Sequence, residues 1–124
     1  MKRIIIDLDG TLTIEDTKVE YLNKKPNLAV IEALLKYKSM GFEIVIHTSR
    51  NMRSFQGNLG KINAFTLPDI ISWLNKYDIP FDEICIGKPW CGTEGFYVDD
   101  KAIRPKEFAE LSYEEICEIT GQNK

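Results

Sequence analysis

The sequence is poor in the residues that build zinc sites, disulfide frameworks and membrane spans. It has one histidine and three cysteines in 124 residues, and none of them stands at the spacing of zinc ligands. An odd number of irregularly spaced cysteines indicates reduced thiols, so we expect a cytoplasmic protein. No apolar run approaches the roughly 20 residues that cross a bilayer, so no membrane partner is expected.

An excess of positive charge and internal repetition are also missing. Lysine and arginine number 16 against 19 acidic residues, which gives a net charge of -3 and argues against a nucleic-acid partner. No repeat, linker or low-complexity segment interrupts the chain. The length suits a single domain over residues 1–124 with a core of its own.

What the sequence does contain is a pair of carboxylates at the end of an apolar run. Ile4–Ile6 is β-branched without alternation, which predicts a strand covered on both faces. Asp7 and Asp9 follow directly, where ligand groups gather in open α/β sheets. Gly10 lets the backbone turn closely past a bound anion, so it is a candidate substrate-binding residue. The segment has the outline of a magnesium and phosphate site.

Three later strand-like runs also end on polar residues. Residues 42–47 are followed by Thr48, residues 83–87 by Lys88, and residues 95–98 by Asp99 and Asp100. In one parallel sheet these residues would meet at one rim.

Helix signals separate the predicted strands. Asn27 can cap a helix that stops at Gly41. A second helix is predicted over residues 67–77 with Pro68 in its first turn, and Ser112 begins a capping box for a last one. The alternation predicts an α/β fold, a three-layer Rossmann-like parallel sheet with helices on both faces.

The charge at the predicted rim indicates a metal ion. The rim would hold four aspartates and one cationic side chain, Lys88. Negative charges so close together would destabilise the fold unless a further cation lay between them. Mg²⁺ is the natural cofactor, because it prefers oxygen ligands and bridges carboxylates to phosphate oxygens. Its candidate ligands are Asp7, Asp9, Asp99 and Asp100.

The ordered set Asp-x-Asp-Gly-Thr, then Thr48, Lys88 and an Asp-Asp pair resembles the haloacid dehalogenase superfamily of aspartate-nucleophile phosphohydrolases. The resemblance extends from Asp7 to Asp100 and implies that superfamily's fold. Residues 47–53, 57–63 and 87–92 look like a small bacterial branch associated with capsular polysaccharide biosynthesis.

Four catalytic roles follow from charge and from this resemblance. Asp7 would attack a phosphate monoester to give an aspartyl-phosphate. Asp9 would exchange a proton with the leaving oxygen and then with water, and the resemblance implies that its carbonyl joins the metal shell. Thr48 would bind a phosphoryl oxygen and Lys88 would neutralise charge. The resemblance favours Asp100 as the direct metal ligand over Asp99, although the sequence alone does not separate them.

The substrate site is predicted to be open, because the intervals between the motifs are too short for a separate cap domain. The residues flanking the motifs suit a small phosphomonoester, and the branch resemblance suggests a phosphosugar or phosphorylated small alcohol; the alternative is a phosphorylated macromolecule. Residues 51–65 form a candidate flap, whose apolar side chains predict a homo-oligomer. Besides Gly10, the candidate substrate-binding residues are Ser49, Arg50, Asn51, Arg53 and Trp90.

Two non-enzymatic classes share some of these features. A phospho-receiver domain has similar length, an acidic cluster and a lysine, but it places its acidic pair first and its phosphorylated aspartate on a middle strand. Here Asp7 and Asp9 come first and the acidic pair comes last. A phosphate-binding structural protein without catalysis would not need the complete motif set. The sequence therefore favours a phosphatase.

Overall fold

The computed structural model describes residues 1–122. The chain divides into two compact units, residues 1–90 and residues 91–124, and each is described by itself. The single domain predicted over residues 1–124 stays a prediction.

The first unit is built on a parallel sheet of three strands. They are β1 (Arg3–Ile6), β2 (Glu43–Thr48) and β3 (Glu83–Ile86), in the order β1-β2-β3. Ile6 pairs with Ile46, and Thr48 pairs with Ile86. Because all three strands run the same way, the residues that follow them emerge at one edge of the sheet.

Two helices of the first unit lie where the sequence predicts them. The Asn27 side chain accepts a hydrogen bond from the Val30 amide, and the helix ends before Gly41. The helix predicted from Leu67 is also present, with Pro68 in its first turn. The helical segments are a 3₁₀ turn (Tyr21–Asn23), α1 (Leu28–Ser39), α2 (Leu59–Lys61), a π-helical turn (Ile62–Thr66) and α3 (Leu67–Lys76).

The core of the first unit joins the sheet to these helices. Ile44 and Ile46 on β2, Leu34 on α1, and Trp73 and Leu74 on α3 are almost wholly buried. The predicted α/β class with a parallel sheet and helices is confirmed, and the described residues contain no separate cap domain.

Two predictions about strands are wrong. Ile5 is 61% exposed, because no helix of the first unit covers that side chain of β1. Residues 95–98 are not a strand, and Val98 is 88% exposed. A strand needs a partner, whereas the chain curls here so tightly that a Cβ at Gly95 would collide with the carbonyl oxygen of Cys91.

The candidate flap is more ordered than a loop. Residues 51–57 form turns, but residues 59–66 are helical and continue into α3. The Asn58 side chain starts this helical stretch by accepting a hydrogen bond from the Lys61 amide at 3.1 Å, and Ile62 is fully buried. The prediction of a loop is therefore wrong for its second half.

In its described part, residues 91–122, the second unit has two short helices, α4 (Pro105–Glu110) and α5 (Tyr113–Ile119). The predicted capping box of α5 is present, since the Ser112 hydroxyl accepts from the Glu115 amide and the Glu115 carboxylate accepts from the Ser112 amide. Within residues 1–122, no helix is long and apolar enough to cross a membrane.

Candidate active site

Three predicted site residues lie at the carboxyl ends of the three strands of the first unit. Asp7 comes after β1, Thr48 ends β2, and Lys88 comes after β3. The Lys88 ammonium lies 3.6 Å from Asp7 Oδ1, and the Lys88 amide donates to the Thr48 carbonyl at 3.1 Å. The parallel topology thus brings a carboxylate, a buried hydroxyl and a cation to one edge.

The environment of Asp7 destabilises its ionised form. Burial raises the pKa of this carboxyl above its ordinary value of 3.8, and the attraction of Lys88 and a backbone hydrogen bond from Leu8 only partly offset that increase. The negative charge of Asp9 raises the pKa further. A second cation beside Asp7 would relieve this cost, so the oxygen donors of Asp7 and Asp9 fit a hard divalent ion.

The carboxylate of Asp9 is held by Arg50. Both oxygens accept hydrogen bonds from the guanidinium, at 2.7 Å and 3.0 Å. The side chain of Arg50 is 2% exposed, and its guanidinium stacks over the Tyr21 ring at 4.0 Å. Arg50 was predicted to bind substrate, but in this structure its fork is occupied by Asp9. Such a bidentate pair fixes the carboxylate in orientation as well as in place.

The same arginine also orients Thr48. The Arg50 amide donates to Thr48 Oγ1 at 3.1 Å. A hydroxyl that accepts one hydrogen bond can still donate its own hydrogen. The Thr48 hydroxyl therefore keeps a hydrogen that it can donate, and its predicted contact with a phosphoryl oxygen stays a prediction.

His47 also belongs to this region, which reasoning from the sequence missed. Burial lowers the pKa of this imidazole, and the positive charge of Lys88 lowers it further, while Asp7 opposes the shift. His47 is thus within electrostatic range of both the predicted nucleophile and the lysine. No local motif signals this, because the effect depends on groups at the ends of two other strands.

The candidate substrate-binding residues have different surroundings. Gly10 has a φ of 81°, a backbone conformation that glycine adopts without strain. Asn51 accepts a hydrogen bond from the Thr66 hydroxyl at 2.7 Å, which ties it to the helical stretch. The Arg53 guanidinium lies 5.2 Å from the centre of the Trp90 ring. Ser49 is half-buried. Their predicted contacts with substrate stay predictions.

A glycine supports the turn into Lys88. Gly87 has a φ of 86°, and a Cβ there would stand 2.8 Å from Leu59 Cδ2. We expect Gly87→Ala to lower the free energy of unfolding by about 1–2 kcal/mol through backbone strain, because the exposed end of the Leu59 side chain can move away from the added methyl group. Gly41→Ala is the matched control, because Gly41 has a φ of 92° and open space around its Cβ position. Urea unfolding curves should show similar losses for the two variants, and a Gly87→Ala protein as stable as the wild type would contradict the strained turn.

The remaining predicted ligands, Asp99 and Asp100, belong to the second unit and are exposed. Asp99 Oδ1 accepts a hydrogen bond from the Lys101 amide at 2.8 Å. Within residues 1–122, no three histidine, cysteine, aspartate or glutamate side chains converge as metal ligands. The roles of Asp99 and Asp100 therefore stay predictions.

Comparison with known proteins agrees with this geometry. Residues 4–71 match the family model of haloacid dehalogenase-like hydrolases. A crystal structure of a structural-genomics target from Vibrio cholerae is 56% identical, with a TM-score of 0.95 and 100% of both chains covered. A chain of a Pnkp1/Rnl/Hen1 complex is 23% identical, with a TM-score of 0.53. The match covers 89% of this chain and 34% of that chain, and at this identity it shows only a shared fold.

No curated protein matches the chain significantly. The family model nonetheless covers more than half of the sequence and includes Asp7, Asp9 and Thr48. The chain therefore belongs to the haloacid dehalogenase-like hydrolases.

Proposed function

We propose that this hydrolase is a Mg²⁺-dependent phosphatase that acts on a small phosphomonoester through an aspartyl-phosphate. The observation that carries the proposal is Asp7, a carboxylate at the carboxyl end of a parallel strand with the Lys88 ammonium 3.6 Å away. A carboxylate nucleophile must meet an anionic phosphate, and the lysine supplies part of the needed positive charge.

The chemistry proceeds in two displacements. An oxygen of Asp7 attacks phosphorus, the ester bond between phosphorus and the leaving oxygen breaks, and Asp9 gives that oxygen a proton. Water then attacks phosphorus, Asp9 takes its proton, and the bond to Asp7 breaks to release phosphate. Each oxygen of Asp9 accepts one hydrogen bond from Arg50 and keeps a second lone pair, which can carry the transferred proton. Thr48 and Lys88 hold the phosphoryl oxygens.

The Asp7 carboxylate and the Asp9 carbonyl would hold Mg²⁺, with Asp99 and Asp100 proposed as further ligands from the resemblance. When bound, the ion offsets the charge of the carboxylates and of the phosphoryl group. The burial of Asp7 with only partial compensation by Lys88 supports this proposal.

Removing the metal is expected to abolish turnover. After exhaustive chelation, phosphate release should fall to background, and added Mg²⁺ should restore it and raise the melting temperature by linkage. Ca²⁺ should bind but fail to restore activity, because its looser geometry misplaces the phosphoryl group. Full activity of the chelated protein would contradict the metal requirement.

The substrate proposed from the branch resemblance is a phosphosugar or phosphorylated small alcohol used in capsular polysaccharide biosynthesis. A screen of phosphate monoesters with Mg²⁺ present tests this, and phosphate release only from phosphorylated proteins or nucleic acids would instead favour a macromolecular substrate. The unpaired Cys85, Cys91 and Cys117 support the cytoplasm as the compartment.

We also propose a homo-oligomer. Leu59 and Phe65 in the candidate flap are exposed, and a neighbouring subunit would shield such apolar side chains from water. Light scattering at micromolar concentration measures the assembly, and a strict monomer would contradict it.

A further inference from the structure

A cavity of about 630 Å³ opens beside Asp9 within the first unit. This volume lies within the range of about 300–1,000 Å³ that is usual for small-molecule sites. Besides Asp9, its walls come from residues 15–24, which connect β1 to α1, and from Asp69 in the first turn of α3. Neither residues 15–24 nor Asp69 belong to the motifs on which the resemblance to the superfamily rests.

The charges around this cavity do not balance. Glu15 is paired with the Lys24 ammonium at 3.2 Å, and Lys24 is 5% exposed. Asp9 is paired with Arg50. Glu20 and Asp69 also line the cavity, and in the part of the chain that the structure describes neither side chain has a hydrogen bond or an ion pair. The wall therefore presents two solvent-exposed carboxylates that have no cation partner.

The position of the cavity relates it to the reaction of the proposed phosphatase. Asp9 is the residue that would exchange a proton with the leaving oxygen, and it is also part of the cavity wall. A leaving group whose oxygen meets Asp9 can therefore extend into this space. Carboxylates accept hydrogen bonds from hydroxyl and ammonium groups, whereas an anionic group there would face like charge without a partner.

We propose that this cavity binds the leaving group of the substrate, and that the leaving group is rich in hydroxyls and carries no negative charge. This inference rests on the proposed phosphatase function. Glu20 and Asp69 are then specificity-determining residues, which accept hydrogen bonds from the leaving group and repel anionic competitors.

The test compares three phosphomonoesters of similar size that differ in the charge of the leaving group. Glucose, glucosamine and gluconate, each phosphorylated on its terminal hydroxyl, are compared at slightly acid pH, where the amine is protonated. We expect kcat/KM for the neutral and ammonium compounds to exceed that for the carboxylate compound by about tenfold or more. p-Nitrophenyl phosphate serves as a general substrate that reports phosphatase activity itself.

Variants of the two carboxylates identify the source of the selectivity. Glu20→Gln and Asp69→Asn keep the size of each side chain and remove its charge, so the ratio of neutral to anionic kcat/KM should fall at least about threefold in each. Glu32→Gln is the matched control, because Glu32 is exposed on α1 and does not line the cavity. It should leave the ratio unchanged.

The outcomes separate this inference from the proposed function. Failure to release phosphate from any of the four compounds would overturn both. Hydrolysis of p-nitrophenyl phosphate with equal or better use of the anionic sugar, or with none of the three sugars used, would overturn the inference alone. A charge preference that Glu20→Gln and Asp69→Asn leave unchanged would also overturn it, because the selectivity would then come from elsewhere.

Discussion

Asp7→Asn is expected to reduce kcat for phosphate release by at least about 10³-fold, because a carboxamide is a far poorer nucleophile than a carboxylate. The side chain keeps its size, and the hydrogen bond from the Thr11 hydroxyl, at 3.4 Å, can go to the amide oxygen. The loss should therefore come from chemistry and not from unfolding. Near-normal phosphate release by the purified variant would rule out Asp7 as the nucleophile.

The stability of the same variant provides an independent control. Burial raises the pKa of Asp7 in the folded state above 3.8, so the folded protein binds this proton more tightly than the unfolded chain does. Its stability therefore falls as the pH rises through the raised pKa. Asparagine carries no charge, so metal-free Asp7→Asn should melt above the wild type at neutral pH. The difference in melting temperature between the two proteins should disappear well below pH 3.8, where the wild-type Asp7 is protonated in both the folded and the unfolded state.

The pair of Asp9 and Arg50 is expected to give the second largest effect. Asp9→Asn should slow turnover by about 10²-fold or more, the usual contribution of a proton-transfer group. Arg50→Gln should also slow turnover and should lower the free energy of unfolding by about 2 kcal/mol, because it leaves a half-buried carboxylate without its bidentate partner. Arg50→Lys keeps the positive charge but not the planar fork. Compared with Arg50→Gln, it should therefore recover more of the lost stability than of the lost activity.

A double-mutant cycle measures whether these residues act as a unit. If Arg50 acts by positioning Asp9, then Asp9→Asn combined with Arg50→Gln should lose little more activity than Asp9→Asn alone. The leaving group provides a second readout. In both single variants, the rate of phosphate release should depend more steeply on the acidity of the leaving alcohol than it does in the wild type. The reason is that a leaving oxygen without a proton donor must carry negative charge. Additive losses with an unchanged dependence would contradict the positioning role.

Much of the first unit follows from local sequence signals. Asn27 caps the start of α1, and Pro68 suits the first turn of α3 because its fixed φ is helical, although helical backbone already begins at residue 59. Asp7, Thr48 and Lys88 come to one edge because parallel strands leave no other place for residues that follow them. The segment at Val98 shows where this reasoning fails, since an apolar run predicts a strand but pairing decides whether one forms.

The side-chain partners could not be predicted from the sequence in the same way. Asp9 and Arg50 are 41 positions apart, and nothing near either residue shows that a guanidinium turns towards a carboxylate across the sheet. Glu20 and Asp69 face one cavity although they lie in segments without any shared pattern. These arrangements depend on the direction of each side chain in the folded chain, and sequence spacing does not carry that information.

The nucleophile is tested most directly by trapping the covalent intermediate. The Mg²⁺-loaded protein is mixed with p-nitrophenyl phosphate, quenched in acid within one turnover and reduced with borohydride, which converts an aspartyl-phosphate into homoserine. Peptide mass spectrometry should then find homoserine at position 7 in the tryptic peptide spanning residues 4–18, and only when the substrate was present. Hydrolysis of the substrate with Asp7 unmodified, or with the label on another residue, would contradict the proposed mechanism.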